Sequence, residues 1–322
     1  VVATARFRFP GGVRPHHAKA ATEARQIERC RLPAAVVIPL HQHTGAPCEP
    51  LVKPGDSVKV GQKIGDSKAA VSVPVHASVS GKVVAVEPRP HPSGAQVAAV
   101  VIESDGQDAR HESTEPRSDP LSLTSAEIKQ VIREAGIAGM GGAAFPTHIK
   151  VSPPPQKRID AFIVNGAECE PFLTCDHRLM VERTHDAVLG MKLLMKALGV
   201  RAGFIAIEKN KPDALEAMRQ AVRDEEISVV ELPCRYPQGA EKQLIKTLLN
   251  REVPSGGLPM DVGVVVNNVG TATAVAMAVR DGMPLAERVA ALARRYRDVE
   301  HLFFIGRGLD HAVAMEGSLK LK

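Results

Sequence analysis

The chain has 322 residues, 44% hydrophobic and 24% charged, with 41 Lys and Arg against 36 Asp and Glu for a formal charge of +5. That length suits two domains, and the composition is that of a folded soluble protein rather than a disordered one. Aromatics at 3% with no Trp leave few stacking platforms for nucleic-acid bases, an odd count of five cysteines argues against a disulfide framework, and no apolar run approaches the roughly 18–20 residues of a membrane span.

Residues 1–34 carry little periodicity and read as an extended N-terminal arm with a turn at Phe9-Pro10-Gly11-Gly12. From 35 to 105, Val- and Ala-rich runs alternate with turn signals at Lys53-Pro54-Gly55-Asp56, Val60-Gly61-Gln62, Ser80-Gly81-Lys82 and Pro92-Ser93-Gly94. That spacing predicts a small all-β domain. Residues 106–122 collect Asp, Glu, Ser, Thr, Arg and Pro and read as a linker. A helix is predicted from Thr124 or Ser125, with Glu127 in capping-box position, to Gly136. Then come a glycine-rich loop and strands at 161–164, 202–207, 228–232 and 262–266. Helices are predicted at 187–198, 211–222 and from about 271 to 280. This alternation predicts an α/β domain with a largely parallel sheet over 123–285.

The β region fits the turns of a lipoyl/biotinyl-like barrel-sandwich, with Lys53-Pro54-Gly55-Asp56 and Gly61-Gln62-Lys63-Ile64 at its corners. The hairpin at 74–78, where a carrier domain would present its modified lysine, has His76 and no Lys. An unmodified scaffold is therefore the better reading. His41 and His43 with Cys48 have no clear further ligand set, so hydrogen-bonded or solvated histidines are expected and no metal site is assigned. The loop from Gly139 to Lys150 offers small residues for close backbone approach and a lysine charge. It lacks a Walker ending, and its glycines follow a helix, unlike a Rossmann fingerprint. Two strands end in Asn165-Gly166-Ala167-Glu168-Cys169-Glu170-Pro171 and Asn267-Asn268-Val269-Gly270-Thr271, where parallel sheets bind ligands. Tyr236-Pro237-Gln238-Gly239-Ala240-Glu241 follows another strand.

These segments combine with Pro39-Leu40-His41-Gln42-His43-Thr44-Gly45, Pro74-Val75-His76-Ala77-Ser78-Val79-Ser80-Gly81, Asp176-His177-Arg178 and Pro254-Ser255-Gly256-Gly257. Over residues about 7–285 the combination resembles the C subunit of Rnf ion-translocating electron-transport complexes. The α/β part is similar to the flavin- and NADH-binding subunit of respiratory complex I. The resemblance implies a barrel-sandwich β domain followed by a complex-I-type FMN-binding α/β domain. It implies FMN lined by Gly139, Gly141, Gly142 and Lys150, with Asn165 and Glu168 toward the isoalloxazine. Glu170 would face the nicotinamide, Phe145 the adenine of NADH, and Gly239 with Glu241 the opposite wall. Asn267, Asn268 and Thr271 would lie near the phosphate and ribityl chain. Glu168 and Glu170 are the catalytic candidates in hydride transfer from NADH.

Partners implied by the resemblance are the other subunits of an Rnf-type membrane complex, with this subunit peripheral on the cytoplasmic face of the bacterial inner membrane. Ala144 stands where glycine is usual, and Val151-Ser152-Pro153 replace aromatics of the complex I relatives. The family also carries 4Fe-4S clusters on Cys-x-x-Cys runs, and this chain has none. Residues 286–322 read as a foreign βα tail. Phe303-Phe304-Ile305-Gly306-Arg307-Gly308 and the end at Lys320-Leu321-Lys322 resemble the sugar-isomerase domain of glutamine–fructose-6-phosphate aminotransferase, as a chimera or truncation would. A scaffold without cofactor and a sugar-phosphate enzyme fragment are the two alternative functions.

Overall fold

A computed structural model describes residues 3–4, 7, 9–28, 31–112, 116–223 and 225–282. The expected tail unit at 286–322 lies outside the described residues. The chain divides into two compact units: one holds residues 28–122, 127–149 and the stretch from 277, the other residues 1–27, 123–126 and 150–276. No helix among the described residues is long and apolar enough to cross a membrane.

After β1 (Ala3–Thr4), which belongs to the second unit, the β unit holds β2 (Ala35–Pro39), β3 (Glu49–Pro50), β4 (Ser57–Val58), β5 (Lys63–Asp66), β6 (Val75–His76), β7 (Gly81–Pro90) and β8 (Gln96–Ser104). They form two antiparallel sheets, ordered β2-β8-β7-β4 and β3-β5-β6. Between the sheets lie Ile38, Leu40, Val58, Ile64, Val75, Ala77, Val79, Val83, Val100 and Ile102. Each Val, Leu or Ile among them removed from water contributes about 1.5–3 kcal/mol before the entropy cost is counted. Gly81 has φ +152, and a Cβ there would stand 1.9 Å from the Glu103 carbonyl oxygen. The Ser80-Gly81-Lys82 turn therefore tolerates no side chain at its centre. The expected hairpin at 74–78 is not exposed: Pro74 to Ala77 are buried, and Val75 and Ala77 belong to the core of the unit.

Two sequence-based boundaries shift. Residues 109–112 are not free linker, since Val60 N–H donates to Ala109 O, His111 N–H to Val60 O, and Lys59 pairs with Glu112. Helix α1 (Ser125–Glu134) starts where the capping signal places it, yet most of it groups with the β unit. Arg133 and Glu134 explain this, bonding Asp66 at 3.0 Å and Lys63 at 2.6 Å in a four-charge network. A Cβ on Gly136 would stand 2.4 Å from Pro74 O, so the glycine after α1 permits its end to close on the barrel.

The second unit is a five-stranded sheet ordered β1-β11-β10-β9-β12, with every pair parallel. Its later strands are β9 (Ala161–Gly166), β10 (Ala202–Glu208), β11 (Ile227–Leu232) and β12 (Val264–Asn268). Short α2 (Thr147–Lys150) precedes β9; α3 (Cys175–Glu182) and α4 (Thr184–Leu198) follow it. Then α5 (Pro212–Ala221), α6 (Glu241–Leu249) and α7 (Val269–Asp281) alternate with strands. The strands are nearly continuous apolar runs, as a sheet covered on both faces requires. Gly199 ends α4 in the left-handed region, and Pro212 opens α5 at its first turn. The amino-terminal arm turns at residues 20–24, where Thr22 and Glu23 N–H donate to Lys19 O, and it supplies β1, which pairs Ala3 with Val230 and Thr4 with Glu231.

Candidate functional site

Strand order decides where a ligand can sit. From β9 the chain moves one way to β10 and β11, then returns to the far side of β9 as β12. The carboxyl ends of β9 and β12 therefore flank a topological switch point, where neighbouring crossovers diverge and leave a crevice. Asn165, Glu168 and Glu170 follow or end β9, and Asn267, Asn268 and Thr271 end β12 or open α7. The structure thus brings together six of the residues singled out from sequence.

Their side chains fall into distinct roles. Asn165 Nδ2 donates to Gly239 O at 2.8 Å, and its Oδ1 accepts from Ala167 N at 3.1 Å, joining the loop after β9 to the loop before α6. Gly239 lies so close that a Cβ there would be 3.3 Å from the Ala167 methyl. Glu168 is buried, with φ +47. Its carboxylate accepts the Asp176 N–H at 2.7 Å and the His177 N–H at 3.4 Å, so it closes the start of α3, a helix the sequence reading missed. Glu170 is exposed. Asn268 Oδ1 accepts from Gly270 N and its Nδ2 donates to Asp176 Oδ2, both at 2.6 Å. Burial first, and the neighbouring Glu168 second, push the Asp176 carboxyl up to about 7. Ligand atoms of Glu168, Cys175 and Asp176 lie within 4.8 Å of one another.

Asn267 is 4% exposed, and its Oδ1 is buried without a hydrogen-bond partner among the described residues. A buried, unsatisfied amide oxygen is uncommon and costly, and a ligand donor at the switch point would satisfy it. A flavin has such a donor in its ring N–H, as do ribityl hydroxyls, so the residues present fit FMN. Lys150 Nζ lies 2.8 Å from Glu241 Oε1, which partly balances its charge.

The remaining predicted residues, Gly139, Gly141, Gly142 and Phe145, belong to the β unit. Gly139 N–H donates to Phe145 O at 2.9 Å. Thr44 fastens the loop with two donors, its N–H to Ala144 O at 3.0 Å and its Oγ1 to Ala143 O at 2.5 Å. A Cβ on Gly142 would meet nothing within 4 Å. His43 is a brace of this unit: its Nε2 accepts the Val73 N–H at 3.2 Å and its Nδ1 lies 3.2 Å from Thr44 O, so its ring nitrogens are taken up by backbone. Burial lowers the His43 pKa and brings that of His76 down to about 4.

Sequence reasoning missed Lys19, Lys211 and the role of Asp176. The lysines are 4% and 0% exposed, and both point into the backbone after β9. Asp176 carried a signal in the Asp176-His177-Arg178 motif, but nothing along the sequence marks the lysines.

Residues 132–277 match a family model described as Nuo51 FMN-binding domain, and residues 7–107 one described as RnfC Barrel sandwich hybrid domain. The chain is 50% identical over 281 residues to the C subunit of the Na(+)-translocating ferredoxin:NAD(+) oxidoreductase complex of Acetobacterium woodii, covering 87% of this chain and 63% of that one. It is 50% identical over 285 residues to the C subunit of the proton-translocating ferredoxin:NAD(+) oxidoreductase complex of Clostridium ljungdahlii, covering 88% and 62%. The chain thus spans less than two thirds of either relative's length. A chain of NAD+-reducing [NiFe]-hydrogenase is similar at 26% identity, with a TM-score of 0.41 over 48% of this chain and 30% of that one.

Proposed function

We infer from the two matched domains and the half-identical relatives that the chain belongs to the C-subunit family of ion-translocating, Rnf-type oxidoreductase complexes. On that premise we propose that it binds FMN at the carboxyl ends of β9 and β12, handles NADH there, and works as a peripheral subunit on the cytoplasmic face of the bacterial inner membrane beside the complex's other subunits. When bound, FMN would supply the redox chemistry, hydride exchange with the nicotinamide and one-electron exchange with an acceptor.

The protein's own part is to bind, orient and hold protons. Asn267 Oδ1 would accept from the flavin or its ribityl chain, since no described residue satisfies it. The start of α7, with Thr271 buried in it, would face the anionic groups. Asn165 fixes the wall that Gly239 and Glu241 belong to. Lys150 would add charge near the phosphate. Exposed Glu170 is left for the nicotinamide nucleotide. Asp176, poised near neutral pH, would hold or release a proton beside Glu168 as the bound group changes charge.

The observation that carries the reading is Asn267's orphaned amide oxygen at the switch point. Titrating the protein with FMN and following the quenching of flavin fluorescence tests it. Saturable binding is expected, weakened about tenfold or more by Asn267→Leu, the loss of one buried hydrogen bond. No saturable change in the wild-type protein, or equal affinity in the variant, would overturn it.

A further inference from the structure

Lys19 lies in the amino-terminal arm, in a stretch without hydrophobic periodicity, yet the residue is 4% exposed. Its ammonium donates to Glu168 O at 2.9 Å, to Glu170 O at 3.0 Å and to Leu173 O. An ammonium has three N–H groups, and here all three go to backbone carbonyls of one short loop. The same nitrogen lies 3.7 Å from Glu168 Oε2, so the buried cation has a counter-charge. Three carbonyls aimed at one point require a curled backbone. The loop achieves it with two non-glycine residues in the left-handed region, Glu168 at φ +47 and Phe172 at φ +68. No glycine stands between Ala167 and Thr174 to relieve this. From the other side Lys211 Nζ donates to Ala167 O at 2.7 Å.

The arm is fastened along the same loop and α3 by further bonds. Phe172 N–H donates to His17 O at 2.9 Å, the Thr22 and Thr174 hydroxyls lie 2.8 Å apart, and Arg178 Nη1 donates to Glu23 O at 3.1 Å. What this loop carries is Glu168, whose carboxylate fixes the start of α3 and thereby Asp176, and Glu170. We propose that Lys19 is a positioning residue for the cofactor site: the arm delivers an ammonium that sets the 167–174 backbone before any ligand arrives, making the arm a working part of the site. The proposal rests on the reading that FMN binds at the ends of β9 and β12.

The test uses the full chain, with FMN binding read by flavin fluorescence and loop order read by amide hydrogen exchange over 167–174. Lys19→Met keeps the stem and removes the three donors. It is expected to weaken FMN binding about 10- to 100-fold, the scale of a misplaced binding group, and to speed exchange in the loop. In Lys19→Ala, added propylammonium replaces the three deleted carbons and the nitrogen, and it should restore both readouts. A merely space-filling role would not respond to the amine. FMN affinity within about twofold of wild type in Lys19→Met, or a folded Lys19→Ala that propylammonium does not rescue, would overturn the proposal. Should both variants fail to fold, Thr22→Val loosens the arm without emptying the buried charge; unchanged loop exchange there would also overturn it. Absent FMN binding in the wild type would sink the site reading instead, while the exchange measurements would still decide whether Lys19 orders the loop.

Discussion

Lys211→Met should be among the most damaging single changes in the α/β unit. Lys211 and Glu208 are both 0% exposed, and Nζ lies 3.3 Å from Glu208 Oε2. Lys211 also donates to Ala167 O at 2.7 Å and to Asn210 Oδ1 at 3.2 Å. Methionine fills nearly the same volume, so the loss is electrostatic rather than a cavity. Removing one partner of a buried pair costs about 3–5 kcal/mol, because the other charge stays behind unpaired. The orphaned Ala167 carbonyl is part of that sum rather than an addition to it. For a unit of this size, about 2–4 °C per kcal/mol converts this to a fall in Tm of roughly 6–20 °C. Burial already raises the Glu208 pKa despite Lys211. Without the lysine Glu208 protonates more readily, so the deficit should be smaller at pH 5 than at pH 8. Urea denaturation followed by far-ultraviolet circular dichroism at both pH values measures it. Lys211→Met/Glu208→Met should recover at least half the loss, since an apolar pair replaces an isolated charge. A loss under about 1 kcal/mol, or a double variant no better than the single, would refute the reasoning.

Acidification should act with opposite sign on half-buried Asp176 and buried His76. Asp176 has a folded-state pKa raised to about 7, so the folded state binds its proton more tightly, and stability falls as pH rises from the ordinary carboxylate range through 7. Asp176→Asn should flatten that slope in urea midpoints taken from pH 4.5 to 7.5. His76 has its pKa lowered to about 4 by burial, so its contribution is complete above 6.5 and is lost as pH falls toward 4. His76→Gln should remove that acid-side loss in the same titration. Gly190→Ala should destabilise by about 1–3 kcal/mol or more, because a Cβ there would stand 1.8 Å from Ala272 O; thermal denaturation checks it. Gly142→Ala, with open space at its Cβ, should leave Tm unchanged in the unliganded protein by the same measurement.

Much of the α/β unit was legible because its buried strands are nearly pure Val, Ile and Ala and its helices carry local start or stop signals. The 161–164 run, Gly199 and Pro212 are examples. Helix α3 was not legible. Its start is closed by Glu168, seven residues before Cys175, rather than by an adjacent capping side chain, so the local text reads as turn. The same long reach hid Lys19, whose partners lie about 150 positions away. The polar clusters after β9 and β12 were legible as a place, since strand ends in parallel sheets are where ligands bind. The division of labour among them was not. Glu168 was read as a ligand-facing acid, and its carboxylate engages backbone N–H groups; of the described residues in those two clusters, Asn267 is the one with an unused buried oxygen. The outer limit of the β unit also escaped composition, because Glu112, inside the stretch that reads as linker, pairs with Lys59.

Strand β1 has a consequence for handling the protein. Its two residues occupy the outer edge of β11, and beyond them Tyr236 and Val13 exchange backbone hydrogen bonds. A parallel sheet is ordinarily built with its margins covered, because a bare margin offers unpaired N–H and C=O groups to any passing chain. The short arm strand therefore acts as a selvedge, finishing the sheet so that it does not catch on its neighbours. Trimming the first dozen residues would open that margin, and the trimmed protein should associate with itself as its concentration rises while the full chain stays dispersed.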